Sequence, residues 1–331
     1  MIGSGTTRKY LLYAMGEIAL VVIGILIALQ INVRHQQYSN KKMVERIFEE
    51  VLEDLAADTR VINRYLLRGE KRDSIGVEVI ENKVTADDYQ NEDYLDLITF
   101  AFEPVSFSKN AYDRLINNLE IVPEKYLELV EELQGIYSLE ANSINSVLDE
   151  LRTFMDRVYY DYQVSQDWYS NSEDDHLAQR INYYLTSPKY KNDVKRFQVI
   201  SAHMRSHHRS FIVKTTFAYN VIYKMIEPAI PFSNDITRFN YLQPDELIEY
   251  VGLYYDEQRQ RNWKFYIDEA GDLKMVNFRG EQRYVHNIGI DTFTRFLRGD
   301  TLFFKRDSLS KLSSIRDVRS RTVYNWVKNE E

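Results

Sequence analysis

With 331 residues, 42 Lys and Arg against 50 Asp and Glu, and a net charge of −8, the chain is too acidic for a general nucleic-acid binder. It contains no cysteine, which excludes disulfides, thiolate metal sites and a thiol nucleophile. Twelve Gly and six Pro are few for this length, so long helices should dominate, with room for two soluble domains.

A short tail, 1–9, precedes the apolar run 10–33, YLLYAMGEIALVVIGILIALQINV. About 20 apolar residues rising about 1.5 Å each span the roughly 30 Å hydrocarbon core of a bilayer, so this run reads as a transmembrane helix. Its one formal charge, Glu17, costs about 2.5–3.5 kcal/mol at the bilayer centre. The Leu, Ile and Val residues from Leu11 to Ile31, each favourable by about 0.3–0.6 kcal/mol, outweigh it. At about 100° per residue, Glu17 shares a face with Tyr13, Gly24 and Ala28. Gly24-x-x-x-Ala28 is a small-xxx-small pattern through which two membrane helices approach closely, so this face is the candidate assembly surface. The alternative for Glu17 is to reach toward the headgroups.

No small-residue cleavage site follows the run, which is therefore expected to stay as an anchor. Arg8 and Lys9 precede it, and Arg34, Lys41, Lys42 and Arg46 follow it. The charge count alone favours a cytoplasmic body. A short basic leader before a long apolar helix is, however, the pattern of a signal anchor, and long domains are translocated largely regardless of charge. The expectation is a single-pass protein of the inner (cytoplasmic) membrane, with its N-terminus in the cytoplasm and its body in the periplasm.

From 36 to 67 the spacing of Val44, Ile47, Phe48, Val51, Leu52, Leu55, Val61 and Ile62 predicts a helix, and no Pro or Gly separates it from the membrane run. Gly69 reads as its stop, with a loop to Ala86. Thr85 with Asp88 looks like an N-terminal cap to a segment carrying Leu95, Leu97, Ile98 and Phe102, which Pro104 ends. A short helix is expected at 110–118. Pro123 opens a long helix striped by Leu127, Val130, Leu133, Ile136, Tyr137, Ile144, Val147, Leu148, Leu151, Met155 and Val158. The acidic run Glu173, Asp174 and Asp175 lacks the oxygen-ligand spacing and central Gly of a calcium loop, and reads as a solvated helix start with Asp174 or Asp175 as cap.

Pro188 opens another long helix that ends before Pro228. It is basic (Lys189, Lys191, Lys195, Arg196, Arg205, Arg209, Lys214, Lys224), whereas the helix after Pro123 is acidic (Glu124, Glu128, Glu131, Glu132, Glu140, Asp149, Glu150). Opposite charges suit neighbours in one bundle; an acidic partner such as anionic lipid or a glycan is the alternative. After a linker at 231–246 the texture changes. Alternating runs WKFYID, LKMVNF, QRYVHNI, TFTRFL, TLFFKRD, LSSIRDV and TVYNWV, separated by turn signals, predict an antiparallel meander closed or nearly closed into a small barrel over 247–331. The fold class is α+β: one transmembrane helix, an α-helical bundle at 34–230 and a small C-terminal β-barrel.

The signature Lys9-Tyr10-Leu11-Leu12-Tyr13-Ala14-Met15-Gly16-Glu17-Ile18, continued through Val21 to Asn32, resembles the opening of an uncharacterised family of single-span membrane proteins of Bacteroidota. Tyr112-Asp113-Arg114-Leu115 to Tyr126 is similar to that family's helix-loop-helix segment. The resemblance implies a membrane anchor and a helical body, with no known activity. The chain departs from it where Asn32 is followed by Val33 and Arg34 rather than by Asn-Trp. The stretch Leu247-Ile248-Glu249-Tyr250-Val251-Gly252-Leu253-Tyr254, with Gly271, Leu273 and Phe303-Phe304-Lys305-Arg306-Asp307, resembles the lipocalin-like β-domain appended to serine hydrolases of the β-lactamase and penicillin-binding type. That resemblance implies an exported protein.

Ser106-x-x-Lys109 and Ser308-x-x-Lys311 fit the S-x-x-K string of such hydrolases, and Lys214-Thr215-Thr216 is one residue away from K-T-G. Neither pair stands in a suitable context, so no catalytic residue is assigned. His203 and His207 share a helical face at i, i+4, but no acid or third ligand accompanies them, and packing is the better reading than a metal. No cofactor is expected. The sequence thus reads as a membrane-anchored, non-enzymatic scaffold or sensor that self-associates through Glu17, Gly24, Ala28 and Tyr13. Its partners would be membrane lipid, further copies, and other membrane or periplasmic proteins. The alternative is a subunit of an oligomeric channel or ion-coupled complex in which Glu17 carries charge.

Overall fold

The computed structural model describes residues 4–98, 104–170, 174–269, 271–295, 301–319 and 322–329, with side chains from residue 15 onward except 19, 170, 174, 175, 319 and 322. Phe102, Glu173 and residues 296–300 lie outside the described residues.

One helix, α1 (Ser4–Ile80), contains the apolar run and the first body helix without a break. Its 77 residues extend roughly 115 Å at about 1.5 Å each. The described side chains from Met15 to Met43 are exposed except the half-buried Asn40, and the apolar stretch is long enough to span a membrane. From Val44 onward the stripe Val44, Ile47, Phe48, Val51, Leu52, Leu55 and Ile62 is buried. The helix does not stop at Gly69. It runs on to Ile80, burying Ile75 and Val79, because Gly69 and Gly76 lie two turns apart on the face that meets the long basic helix α7 (Pro188–Ile226). A Cβ on Gly76 would stand 2.9 Å from Gln198 Nε2, so the glycine serves close approach rather than termination.

Thr59 meets Thr215, Arg205 meets Gly69 and Asp73, and Arg209 meets Glu70, so α1 and α7 are antiparallel. Around this pair pack α2 (Glu92–Leu95), α3 (Asn110–Asn117), α4 (Leu127–Gln134), α5 (Ala141–Ser165) and α6 (Asp174–Thr186). The helix expected from Pro123 begins as a 3₁₀ turn, and a π turn, Gly135–Glu140, joins α4 to α5. At this widened turn the Tyr137 carbonyl accepts a 2.9 Å bond from Lys109 Nζ. Acidic and basic helices are neighbours, joined by Lys214–Glu140 and Arg196–Glu150, both at 2.6 Å, and by Lys189–Asp161 at 2.9 Å. Thr85 and Asp88 do interact, but the Asp88 carboxylate accepts from both the Thr85 amide and hydroxyl, and only a 3₁₀ turn follows.

The C-terminal part is a closed antiparallel barrel in which each strand pairs with the next: β1 (Gly252–Asp256), β2 (Arg261–Ile267), β3 (Leu273–Val276), β4 (Gln282–Gly289), β5 (Thr292–Arg295), β6 (Thr301–Arg306), β7 (Leu312–Arg319) and β8 (Thr322–Lys328). β1 also pairs with β8 through Tyr254↔Lys328 and Tyr255↔Val327. Its interior is filled by side chains. Trp263 stacks on Trp326 at 3.8 Å, Tyr254 and Phe265 pack on Phe304, and Arg295 donates to Asp317 at 2.9 Å. The residues that carry the lipocalin-like resemblance close one end. Arg306 binds Glu249, Asp291 and the Ser310 carbonyl, while Tyr250 packs on Phe293 and Phe304 and donates to Asp291.

Candidate functional site

Glu17, Gly24 and Ala28 lie along one stripe of α1 and are exposed, and a Cβ placed on Gly24 would meet nothing within 4 Å. Tyr13 belongs to the same helix, but its side chain lies outside the described residues. The body of the chain folds away from this stripe.

The other sequence candidates are dispersed. Ser106 is exposed in the loop after Pro104, and Lys109 donates to the Tyr137 carbonyl. Ser308 and Lys311 belong to the β6–β7 turn, where Asp307 accepts from the amides of Leu309 and Lys311. Lys214 pairs with Glu140, and Thr215 is buried against Thr59. His203 is exposed and His207 half-buried on α7; among the described residues no group of three or more His, Asp or Glu side chains is placed to hold a metal.

The structure creates a site that none of these strings marks: a cleft of about 690 Å³ between bundle and barrel, within the size range of small-molecule sites. It arises from the pairing of β4. Register with β3 extends from Val276↔Gln282 to Lys274↔Tyr284, and beyond it Asn240 takes over the edge, donating from its amide to the Asn287 carbonyl at 2.8 Å and from Nδ2 to Asn287 Oδ1 at 2.9 Å. At this seam Leu273, Val285 and Phe293 of the barrel core also line the cleft. The facing wall is built by Phe217, Val221, Lys224 and Met225 of α7, and by Lys125, Glu128, Leu129 and Glu132 in and just before α4. Because residues of α7 beyond Thr215 lie level with α1 residues before Thr59, the cleft occupies the half of the body nearer the apolar run.

His286 sits at its inner end. The ring stacks on Phe239 at 4.6 Å and 2°, with Phe217 at 5.4 Å. Burial lowers its pKa to about 4, so the imidazole is neutral at neutral pH, and its buried Nε2 has no hydrogen-bond partner. On the far side of the Phe239–His286 pair lies a second cavity of about 330 Å³, bounded by Asn63 and Leu66 of α1 and by Arg209 to Thr216 of α7.

The charges of the main cleft are arranged without mutual pairing. Lys224 lies over the Tyr241 ring at 4.0 Å, and Lys125 over Tyr126 at 4.4 Å. Glu128, Glu132 and Asp272 form no ion pair among the described residues, and burial raises the pKa of Glu132. An apolar floor with a few polar groups at the rim is the chemistry of a binding site for an amphipathic molecule.

Sequence reasoning placed His208 on the basic helix without a role and passed over the half-buried His286. His208 was legible: it continues the stripe Met204, His208 and Phe211 and is buried against Tyr65, with both ring nitrogens unpartnered and its pKa lowered by burial to about 4. His286 alternates with the inward Val285 and Asn287, so it reads as solvent-facing until the bundle covers it. Compared with known proteins, the chain matches no family model and no curated protein.

Proposed function

We propose that the chain is a membrane-anchored scaffold or sensor without enzymatic activity. The apolar run 10–33 holds it in the inner membrane, with the N-terminus in the cytoplasm and the soluble domains, 34–230 and 247–331, in the periplasm. The resemblance of the C-terminal region to domains of exported hydrolases supports that orientation. Copies associate through the Glu17, Gly24 and Ala28 face, where small residues allow close approach and a facing helix gives Glu17 a polar neighbour.

The observation that carries this reading is the continuity of α1. The helix that is exposed through Met43 becomes, from Val44, a central element of both apolar cores of the body. A rotation or separation of membrane helices is thereby passed into the bundle without a hinge.

The absence of native cysteine makes the test direct. Single Gly24→Cys and Ala28→Cys variants in membranes are expected to form disulfide dimers on mild oxidation, while Ile23→Cys and Leu26→Cys, on other faces, do not. Uniform crosslinking around the helix, or monomers throughout, overturns the self-association.

A further inference from the structure

We propose that the cleft between bundle and barrel binds a small amphipathic organic cation, a molecule with an apolar body and one ammonium-type head. This goes beyond the scaffold reading and does not depend on self-association.

The apolar body is specified by the floor. Leu273, Val285 and Phe293 of the barrel core back the cleft, and the surface still in water belongs to Tyr241, Leu242 and Tyr284 on that side and to Phe217, Val221 and Met225 of α7, so a ligand there removes apolar surface from water on two sides. The sign of the head follows from three features of the lining. First, the carboxylates of Glu128, Glu132 and Asp272 come from both walls and form no ion pair among the described residues; the Lys214 ammonium that acts on Glu132 from nearby is itself paired with Glu140. The three carboxylates outnumber the lysines of the lining, Lys125 and Lys224, which are exposed as Glu128 and Asp272 are, and the half-buried Glu132 is the most withdrawn charge of the five.

Second, aromatic rings line the cleft, to which ammonium groups are attracted: Lys274 lies over Tyr284 at 4.3 Å, and the half-buried Phe217 stands on the facing wall. The Lys224 ammonium, 4.0 Å from the centre of Tyr241, already shows that interaction at the rim. Third, His286 is neutral and its buried Nε2 lacks a partner, so it can accept an N–H from a ligand head. An anionic head would meet three carboxylates and gain no charge from the imidazole. The half-buried Glu132 is the group that a cation relieves most, since burial disfavours its ionised form by more than the nearby Lys214 favours it.

The test uses the full-length chain in phosphatidylcholine nanodiscs, with empty discs as reference, and reads fluorescence anisotropy of rhodamine 6G as the cationic probe and fluorescein as the anionic one. Saturable single-site binding of rhodamine 6G and none of fluorescein is expected. Glu132→Gln and Asp272→Asn should each weaken rhodamine 6G by about fivefold, the scale of one partly screened charge contact. Lys224→Gln should tighten it, an outcome that a merely damaged cleft cannot produce. Phe217→Trp, which fills the cleft, should abolish binding while the circular dichroism melting curve is retained. Equal binding of both dyes, no saturable binding above empty discs, or rhodamine 6G binding indifferent to all four substitutions overturns the proposal. None of these results alters the crosslinking pattern expected at Gly24 and Ala28.

Discussion

The bundle and the barrel bury their side chains in different ways. In the bundle, two apolar cores are stacked along the α1–α7 pair, one around Phe48, Leu55 and Phe211, the other around Val79, Val158 and Phe197. Between them lies a polar layer in which the buried Arg205 reaches Asp73 at 3.0 Å, Ser201 at 2.8 Å and the Gly69 carbonyl, beside His208. The barrel has one core, and its closure rests on a few residues: Arg306 at one end, the Arg295–Asp317 pair and the Trp263–Trp326 stack within. Long helical contacts spread the cost of any single loss, whereas a closed barrel concentrates it. The same change in polarity should therefore be felt more sharply in the barrel.

The largest expected effect follows from that concentration. Asp317→Ala removes the carboxylate to which Arg295, whose side chain is 7% exposed, donates at 2.9 Å, and breaking that buried pair is expected to cost about 3–5 kcal/mol. Denaturant unfolding in a Trp168→Phe background, which removes the bundle's tryptophan, should show by fluorescence the barrel transition, reported by Trp263 and Trp326, moving to lower denaturant. A midpoint unchanged within error would mean that the pair contributes nothing to closure. In the bundle, Leu52→Ala removes a fully buried side chain and should cost about 3 kcal/mol. The helical signal at 222 nm should report this loss. Movement of the barrel transition by the same amount would show that the two regions unfold as one unit.

Acid should divide the regions less sharply, because each holds one histidine withdrawn from water, His208 buried and His286 half-buried. His208 in the bundle and His286 at the cleft both have pKa values lowered to about 4 by burial. Unfolding restores the ordinary value near 6.5, so the unfolded chain binds more protons and stability falls as pH drops from about 6.5 to 4. At pH 5 each histidine is expected to cost about 2 kcal/mol relative to pH 7. Asp58 acts in the opposite sense. Burial raises its carboxyl to about 6 despite bonds from the Ser108 amide, so its penalty is relieved as pH falls from about 6 toward 3.8. Asp54 and Glu132, whose carboxyls burial also raises, act with Asp58 and blunt the loss from the histidines. His208→Leu should flatten the fall in helical stability between pH 6.5 and 5, and an unchanged slope would exclude His208 as its source.

The same contrast governs what the sequence discloses. Helices are legible wherever an apolar stripe faces one neighbour, as from Val44 to Ile62 and from Val130 to Val158, and the strands are legible from alternation. The first strand, Gly252–Asp256, is short and begins inside the Tyr250-Val251-Gly252-Leu253-Tyr254 motif. The acidic and basic helices disclose their pairing because charge complementarity is a property of composition. The cleft is not legible, since its walls come from the α4 region, α7, β3, β4 and the segment 239–242, and no local pattern joins them. The membrane face is legible only as a pattern of Glu17, Gly24 and Ala28, because no part of the described chain packs on it.

Gly69 and Gly76 give the smallest effect and the finest test of how α1 is read. Both sit inside a helix, where glycine is less favourable than alanine by about 0.8–1 kcal/mol. At Gly69 an added methyl would meet Arg205 Cγ at 3.5 Å, an ordinary contact, so Gly69→Ala should stabilise the bundle by several tenths of a kcal/mol and up to about 1 kcal/mol. At Gly76 the methyl would stand 2.9 Å from Gln198 Nε2 and 3.2 Å from its Cγ, and would displace the bond that Nε2 donates to the Asp73 carbonyl at 3.1 Å. Loss of that bond, worth about 0.5–1.5 kcal/mol, offsets the gain in helix propensity. Gly76→Ala should therefore be neutral or slightly destabilising, where Gly69→Ala is stabilising. If Gly69 instead ended the helix in a left-handed conformation, alanine there would be strained and the order of the two variants would reverse. Thermal melts of the pair, read at 222 nm against the parent chain, decide between a helix that stops at Gly69 and one that carries the membrane segment through to Ile80.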